Sequence, residues 1–587
     1  MRQEARFLLA IMLMIVVLVG TNLLFPPVPP DEGITPGGEV TGQLDGAGRA
    51  VAPSIPLGGP TAGPGAAADQ PDAPAAGPSP FDRPAPAAAA RVDTVVVEGP
   101  LYRLAWSTAG ARLISAQLLQ FQSFDQVEGE DVDQEEVVEL IVPETGGVLA
   151  MQLRVDEGAL DLGAETFEVE PADGLRLSEA DGPQTLTFRY RHPSGALTLE
   201  TAYTFDPSSY LMDVRTEVLG ADGALLVTSM GSGLQYNERN RAEESRIMGY
   251  VTNHLREGID SERLSRVDSE RTQEGPLLWA ALKSKYFIFA VVPGREGSEQ
   301  YLGGLIAGPA PGEDQAAIAV TQAVGTTGVL ETRIFMGPQD RDLLVAFDND
   351  LEEANPYGYR WMRPVVRPVV SVVLAVLNFL HANLSVGYGW VLIIFGVMMR
   401  VLTYPLNQKA MRAQMRNMAV QPLLQEIQKK YKEQPEKLQK EMMKLYKDHG
   451  FNPLAGCLPM LLPWPVLITL FFVFRNTIQL RGESFLWLPN LAAADPLYIL
   501  PILLGVSMFF MQWITVRSMP EPNPQMKMMM WIMPIMMTFI FFNFASGLNL
   551  YYATSNLATI PQQYLIAKER QQLREKTPVH QPATSGD

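Results

Sequence analysis

Two kinds of hydrophobic patterning divide this chain. From about Val92 to Phe347 apolar and polar residues alternate, as in Leu186, Phe188 and Tyr190 against Thr187, Arg189 and Arg191, and again at Leu197, Leu199, Tyr203 and Phe205. Period two is the mark of a half-buried strand. Turn signals such as Asp181-Gly182-Pro183 and Pro193-Ser194-Gly195 break the pattern into short strands, so a large antiparallel β-sandwich is predicted over residues 91–350. Elsewhere the apolar residues run together. Five segments, Val386 to Leu406, Leu454 to Phe474, Pro496 to Val516, Met526 to Ala545 and Leu548 to Ile566, each have the length of a spanning helix. A sixth, Phe7 to Phe25, follows Arg2 and Arg6 and lacks a small-residue cleavage pattern before Pro26, which favours an uncleaved anchor (1–25) over a signal peptide.

Between these blocks the composition changes. Residues 26–90 are rich in Pro, Ala and Gly and poor in large apolar side chains, a composition that cannot offset its ordering entropy and reads as a disordered linker. Residues 351–385 carry Arg360, Arg363 and Arg367 among Trp361, Val365, Val366, Val369, Val370 and Val373. That suits an amphipathic helix along the membrane interface, the other reading being an early half of the next span. The stretch 407–451 holds ten Lys or Arg against five Asp or Glu. Its apolar residues form two stripes, Leu423, Leu424, Ile427 and Tyr431, then Leu438, Met442 and Leu445, with Pro435 placed for a helix start between them. A helical hairpin is predicted, the plainer reading being a solvated connector. With six spans both termini share one side. The basic residues of the N-terminus, of this hairpin and of the tail 568–587 place that side in the cytoplasm and the sandwich in the periplasm.

Charge and chemistry narrow the function classes. The 587-residue chain has a formal net charge of -18, which argues against direct DNA binding. One cysteine, Cys457, permits neither an intramolecular disulfide nor a dithiol motif. His192, His254, His381, His449 and His580 have no metal-ligand spacing, and no phosphate-binding loop of the ATPase type is present. No cofactor and no enzymatic reaction are expected.

Arg400 stands out because it lies in the apolar run from Gly389 to Leu402. A charge at the bilayer centre costs roughly 2.5–3.5 kcal/mol or more, so it generally faces protein or a wet cavity. An arginine snorkelling to the interface is the alternative, since Tyr404 and Pro405 soon follow. Gly396, one turn earlier on the same face, is expected to leave room beside the guanidinium for water or a guest segment. Seven methionines fall between Met526 and Met537, and Asn549, Thr554, Ser555, Asn556, Thr559, Gln562 and Gln563 dot the last span. Met-rich surfaces adapt to many apolar shapes, although plain packing and helix–helix glue account for such residues equally well. A secondary transporter binding a small anion at Arg400, and a sheet-based periplasmic binding protein that is merely anchored, are the rival classes. Inverted repeats are absent, and six spans exceed what an anchor needs.

The run Arg400-Val401-Leu402-Thr403-Tyr404-Pro405-Leu406, then Gln421-Pro422, Lys430-Tyr431-Lys432, Leu445-Tyr446-Lys447 and Asn452-Pro453-Leu454-Ala455-Gly456-Cys457-Leu458-Pro459, resembles the YidC/Oxa/Alb family of membrane protein insertases. So do Pro496-Leu497-Tyr498-Ile499-Leu500-Pro501, Met508-Phe509-Phe510-Met511-Gln512 and Ser546-Gly547-Leu548-Asn549-Leu550-Tyr551-Tyr552. The resemblance covers essentially the whole chain in the Gram-negative layout, and departs at Pro463, where the family commonly has glutamine. It implies a five-helix insertase core (386–567) in the bacterial inner membrane, with a hydrophilic groove containing Arg400, Gly396, Met508, Gln512 and Tyr552. It implies a cytoplasmic hairpin that receives substrates through Lys429, Lys430, Tyr431, Met442 and Tyr446. The implied partners are nascent membrane proteins, lipids, the ribosome and the Sec translocon (SecYEG and SecDF).

Overall fold

The computed structural model describes residues 92–125, 136–143, 146–155, 158–294, 301–312, 314–347, 349–355, 362–419, 423, 427, 430–431, 434–448, 464–517 and 524–576. The expected anchor (1–25) and linker (26–90) lie outside the described residues. The described residues divide into two units, one up to Asn355 and one after it.

In the first unit, strands Thr94–Glu98, Tyr102–Ser107, Arg112–Gln122 and Val137–Glu139 build a small sheet with Leu175–Arg176 parallel at its edge. The remaining strands form one large sheet. The alternation in the sequence becomes register here: Leu199 pairs with Tyr190 and with Val218, and Tyr203 with Leu186. These apolar partners share the buried face while Thr, Glu and Arg point away. Gly195, at φ +73°, makes the tight turn between two of these strands, a backbone that other residues adopt only at a steric cost. The two sheets meet face to face through aromatic rings. Trp106 of the small sheet lies 4.4 Å from Tyr203 and 5.5 Å from Phe188 of the large one, and Phe121 lies 5.6 Å from Phe287. The fold is the β-sandwich that the alternation predicts.

Period two fails in the middle of the large sheet. Gly249–His254 and Phe287–Pro293 are buried at every position, as the unbroken apolar run from Tyr286 to Val292 suggests of strands covered on both sides. Part of that cover is the segment after the last strand, which contains the helix Arg341–Val345. Phe347 packs edge-on against Phe335 at 5.4 Å. The Asn349 carbonyl accepts from Trp279 Nε1 at 2.7 Å and Asn253 Nδ2 at 3.1 Å, and the Ala354 carbonyl accepts from Lys283 Nζ at 2.9 Å. Residues 351–355 therefore finish the sandwich, instead of opening the amphipathic helix as their assignment to 351–385 predicts.

The helices, numbered in chain order, are α1 (Arg241–Ser245) and α2 (Arg341–Val345) in the sandwich, followed in the second unit by α3 (Arg363–Leu384), α4 (Tyr388–Ala419), α5 (Pro435–Asp448), α6 (Trp464–Asn476), α7 (Ile499–Arg517), α8 (Pro524–Phe541) and α9 (Ser546–Lys576). Among the described residues, three stretches are long and apolar enough to cross a membrane, Val366–Leu384, Tyr388–Pro405 and Ile499–Arg517, and Lys527–Phe541 is a shorter one. Of the predicted span Leu454 to Phe474, only the part from Trp464 is described. The helix α3 is one-sided, with Val366, Val370, Val373 and Leu377 buried at spacings of four, three and four. Its length also suits a span. The helix α4 continues through Pro405 to Ala419, so the first part of the expected hairpin prolongs the preceding span. The helix α5 begins at Pro435, where a missing N–H is no loss.

Candidate functional site

The second unit closes at one end around the segment between α6 and α7. Asp495, fully buried, accepts from Trp487 Nε1 (3.3 Å) and the Leu497 N–H (3.0 Å) on one carboxylate oxygen and from the Leu500 N–H (2.7 Å) on the other. A carboxylate at the first turn of α7 satisfies donors that the helix itself leaves open and faces the positive end of its dipole. The start of α9 is tied to the same segment. Ser546 and Gly547 donate their N–H groups to the carbonyls of Ala493 (2.7 Å) and Leu491 (2.8 Å), and the Ser546 hydroxyl donates to the Asn490 carbonyl (3.0 Å). At the start of α4, Phe485 lies so close over Gly389 that a Cβ there would fall 2.2 Å from the ring carbon Cγ. The starts of three helices, α4, α7 and α9, are thus tied to one segment.

Arg400 sits about 18 Å along α4 from Tyr388, at 1.5 Å of rise per residue. It is half-buried. Its Nη2 donates to Gln562 Oε1 of α9 at 3.3 Å, and Gln562 Nε2 donates to the Tyr404 carbonyl of α4 at 3.5 Å. Arg400 Nε is buried with no hydrogen-bond partner, and Arg400 is absent from the ion pairs formed among the described residues. Its positive charge is therefore held in place, without a carboxylate partner among the described residues.

Gly396 does not provide the open space expected of it. A Cβ at this position would lie 3.3 Å from Thr554 Cγ2 and 3.4 Å from the Tyr551 carbonyl, so the missing side chain lets α9 approach α4 and the room is taken by Thr554. Tyr552 points to another side of α9, where its ring meets Phe541 at 5.5 Å and its hydroxyl is buried without a partner among the described residues. Its neighbour Tyr551 is the more enclosed of the two, between Phe395 (5.6 Å) and Phe474 (5.9 Å). Met508 and Gln512 lie one turn apart on α7, both half-buried. This helix reaches α9 through Asn556 Nδ2, which donates to Ser507 Oγ at 3.2 Å. Among the groove candidates, the helix α9 is common ground, touching α4 with one face and α7 and α8 with another.

The methionines of α8 do not gather on one face: Met528, Met530, Met533, Met536 and Met537 are half-buried and Met529 is exposed. Close packing at Gly505, where a Cβ would fall 2.0 Å from Thr538 Oγ1, joins α8 to α7. Of the hairpin candidates, Lys430 is exposed with its Nζ 5.6 Å over the Tyr431 ring, and Met442 is half-buried beside Leu445 on α5. Tyr446 falls in α5, and Lys429 lies outside the described residues. Among the described residues no group of three His, Cys, Asp or Glu side chains could hold a metal ion. Sequence reasoning missed the role of Asp495, although Asp-Pro directly before an apolar run is a helix-start signal. It noted Gln562 only as one polar residue among several.

Comparison with known proteins gives a consistent family assignment. Residues 94–372 match the model of the YidC periplasmic domain, and residues 379–574 match that of the 60Kd inner membrane protein. Similar curated relatives are the membrane protein insertases YidC of Chlorobium limicola (31% identical, covering 81% of this chain and 82% of that protein) and Chlorobium luteolum (32%, 82% and 84%). That of Geobacter metallireducens is 30% identical over 96% of this chain and 98% of its own length.

Proposed function

The chain belongs to the YidC family of membrane protein insertases, and from that membership we propose that it passes hydrophobic segments of nascent proteins into the inner membrane through a groove charged by Arg400. The observation that carries the reading is a guanidinium inside an apolar span, fixed by a neutral amide and left without a carboxylate partner among the described residues. A polar flank entering the bilayer loses its hydration. A partly wet groove with a fixed cation lowers that cost for acidic flanks, and partitioning of the apolar part into lipid drives release. No covalent step is needed. The sealed end around Asp495 and Phe485 supports a groove that is open to the cytoplasm and to lipid and closed to the periplasm, since the starts of α4, α7 and α9 are all tied there. On this reading both termini and the hairpin are cytoplasmic, the sandwich is periplasmic and α3 lies along the outer interface. Met508, Gln512 and Tyr552 contact the guest, while Lys430, Tyr431 and Met442 meet it or the ribosome first. The Sec translocon is a partner for some substrates.

Insertion in vivo of one acidic-tailed and one charge-poor substrate, compared across wild type, Arg400→Lys and Arg400→Ala at matched protein levels, tests the mechanism. Arg400→Ala is expected to impair the acidic-tailed substrate selectively, and Arg400→Lys to retain much of its insertion, because the point charge survives though the planar fork is lost. Equal insertion of that substrate by all three proteins would exclude the groove charge.

A further inference from the structure

Gln562 occupies an unusual place. It follows Pro561 in α9, and its side chain reaches the turn of α4 that ends at Pro405. Each proline lacks an N–H, so each helix loses one backbone hydrogen bond beside this crossing and is more easily bent there. The residue is 5% exposed. Its orientation follows from its partners: arginine can only donate and a carbonyl can only accept, so the amide oxygen faces Arg400 and the amide nitrogen faces the Tyr404 carbonyl. One side chain therefore holds the guanidinium and the backbone just after it, across the contact of two proline-containing helices.

The chemical identity of that side chain matters as much as its position. A carboxylate of the same length would fix Arg400 more strongly, through a charge-assisted pair, and would cancel the field that an acidic guest flank responds to. An aliphatic side chain would leave the cation free to swing toward solvent. We infer that Gln562 is the positioning residue of the groove, holding Arg400 across the α4–α9 crossing as an un-neutralised cation and thereby setting the preference for guests with acidic flanks. The inference rests on the groove-charge reading of Arg400.

The test measures in vivo insertion of the acidic-tailed and the charge-poor substrate by full-length wild type, Gln562→Glu, Gln562→Met and Arg400→Ala, and takes the ratio of the two substrates for each. A role in helix packing alone would lower both substrates together and leave the ratio where wild type has it. Placing a carboxylate against the guanidinium is expected to lower the ratio roughly tenfold or more, as Arg400→Ala does, because the nearer anion outcompetes the guest. Gln562→Met keeps the volume but removes both hydrogen bonds, and is expected to lower the ratio by about two- to fivefold. It decides the matter by itself should Gln562→Glu fail to accumulate. Wild-type ratios for Gln562→Glu and Gln562→Met beside a reduced ratio for Arg400→Ala overturn the role of Gln562 alone. A wild-type ratio for Arg400→Ala removes the groove-charge reading, and this inference with it.

Discussion

Asp495 offers the most direct test of how the start of α7 is held. Its carboxylate is fully buried and receives three donors: Trp487 Nε1 and the Leu497 N–H on one oxygen, and the Leu500 N–H on the other. Asp495→Ala leaves all three unpartnered. With about 1–3 kcal/mol for the buried Leu500 donor and about 1 kcal/mol for each of the two part-buried donors, which water can reach, partly offset by the relieved desolvation of the carboxylate, a net loss of about 2–4 kcal/mol is expected. Asp495→Asn differs in a way the geometry fixes. The amide oxygen can still accept from Trp487 and Leu497, but the amide nitrogen then faces the Leu500 N–H, donor against donor, and about 1.5–3 kcal/mol is lost. Flipping the amide serves Leu500 but sets its N–H groups against the Trp487 and Leu497 donors, so a loss remains in either orientation. For a unit of this size about 1 kcal/mol shifts the melting temperature by roughly 2–4 °C. The expected falls are then about 3–12 °C for Asn and about 4–16 °C for Ala, with Ala the lower-melting of the two. Thermal melts of the full-length protein in detergent, followed by far-UV circular dichroism at the helical band, measure this. A melting temperature for Asp495→Ala equal to wild type, or lower for Asn than for Ala, would refute the donor accounting.

The sandwich should fold alone, because its two sheets bury their faces against each other. A fragment of residues 92–355 is expected to give a β-rich circular dichroism spectrum, and one ending at residue 340 a lower urea midpoint, since Trp279 and Lys283 then lose their Asn349 and Ala354 acceptors; a helical or unfolded spectrum of the longer fragment would contradict the architecture. Burial pushes the Tyr210 and Tyr250 hydroxyls up to about 12. Their folded values exceed the ordinary value of about 10, so their contribution is complete below that pH and is lost as the pH rises toward the folded value. The urea midpoint of the 92–355 fragment should therefore fall between about pH 10 and pH 12, and less steeply in Tyr210→Phe; a pH-independent midpoint over that range would count against it.

Much of this protein is legible from its sequence because strand and helix periodicities are properties of the backbone itself. Leu186, Phe188 and Tyr190 announce their shared face without knowledge of any partner, and the strands observed over Gln184–Arg191 and Thr198–Phe205 follow. Arg400 is equally visible, since a charge in an apolar run is costly wherever the neighbouring helices lie. The sequence does not tell which side chain shares a contact with which. Gly396 reads as open space along its own helix and becomes a contact with Thr554 only when α9 lies against α4. Gln562 reads as one polar residue of a speckled span and becomes the partner of Arg400, 162 positions away. Asp495 carries a helix-start signal, yet its bond to the Trp487 indole depends on how the sealing segment folds back. Periodicity arises within a few residues of one chain segment, whereas these pairings depend on the distance and angle at which two segments meet, and packing alone decides those.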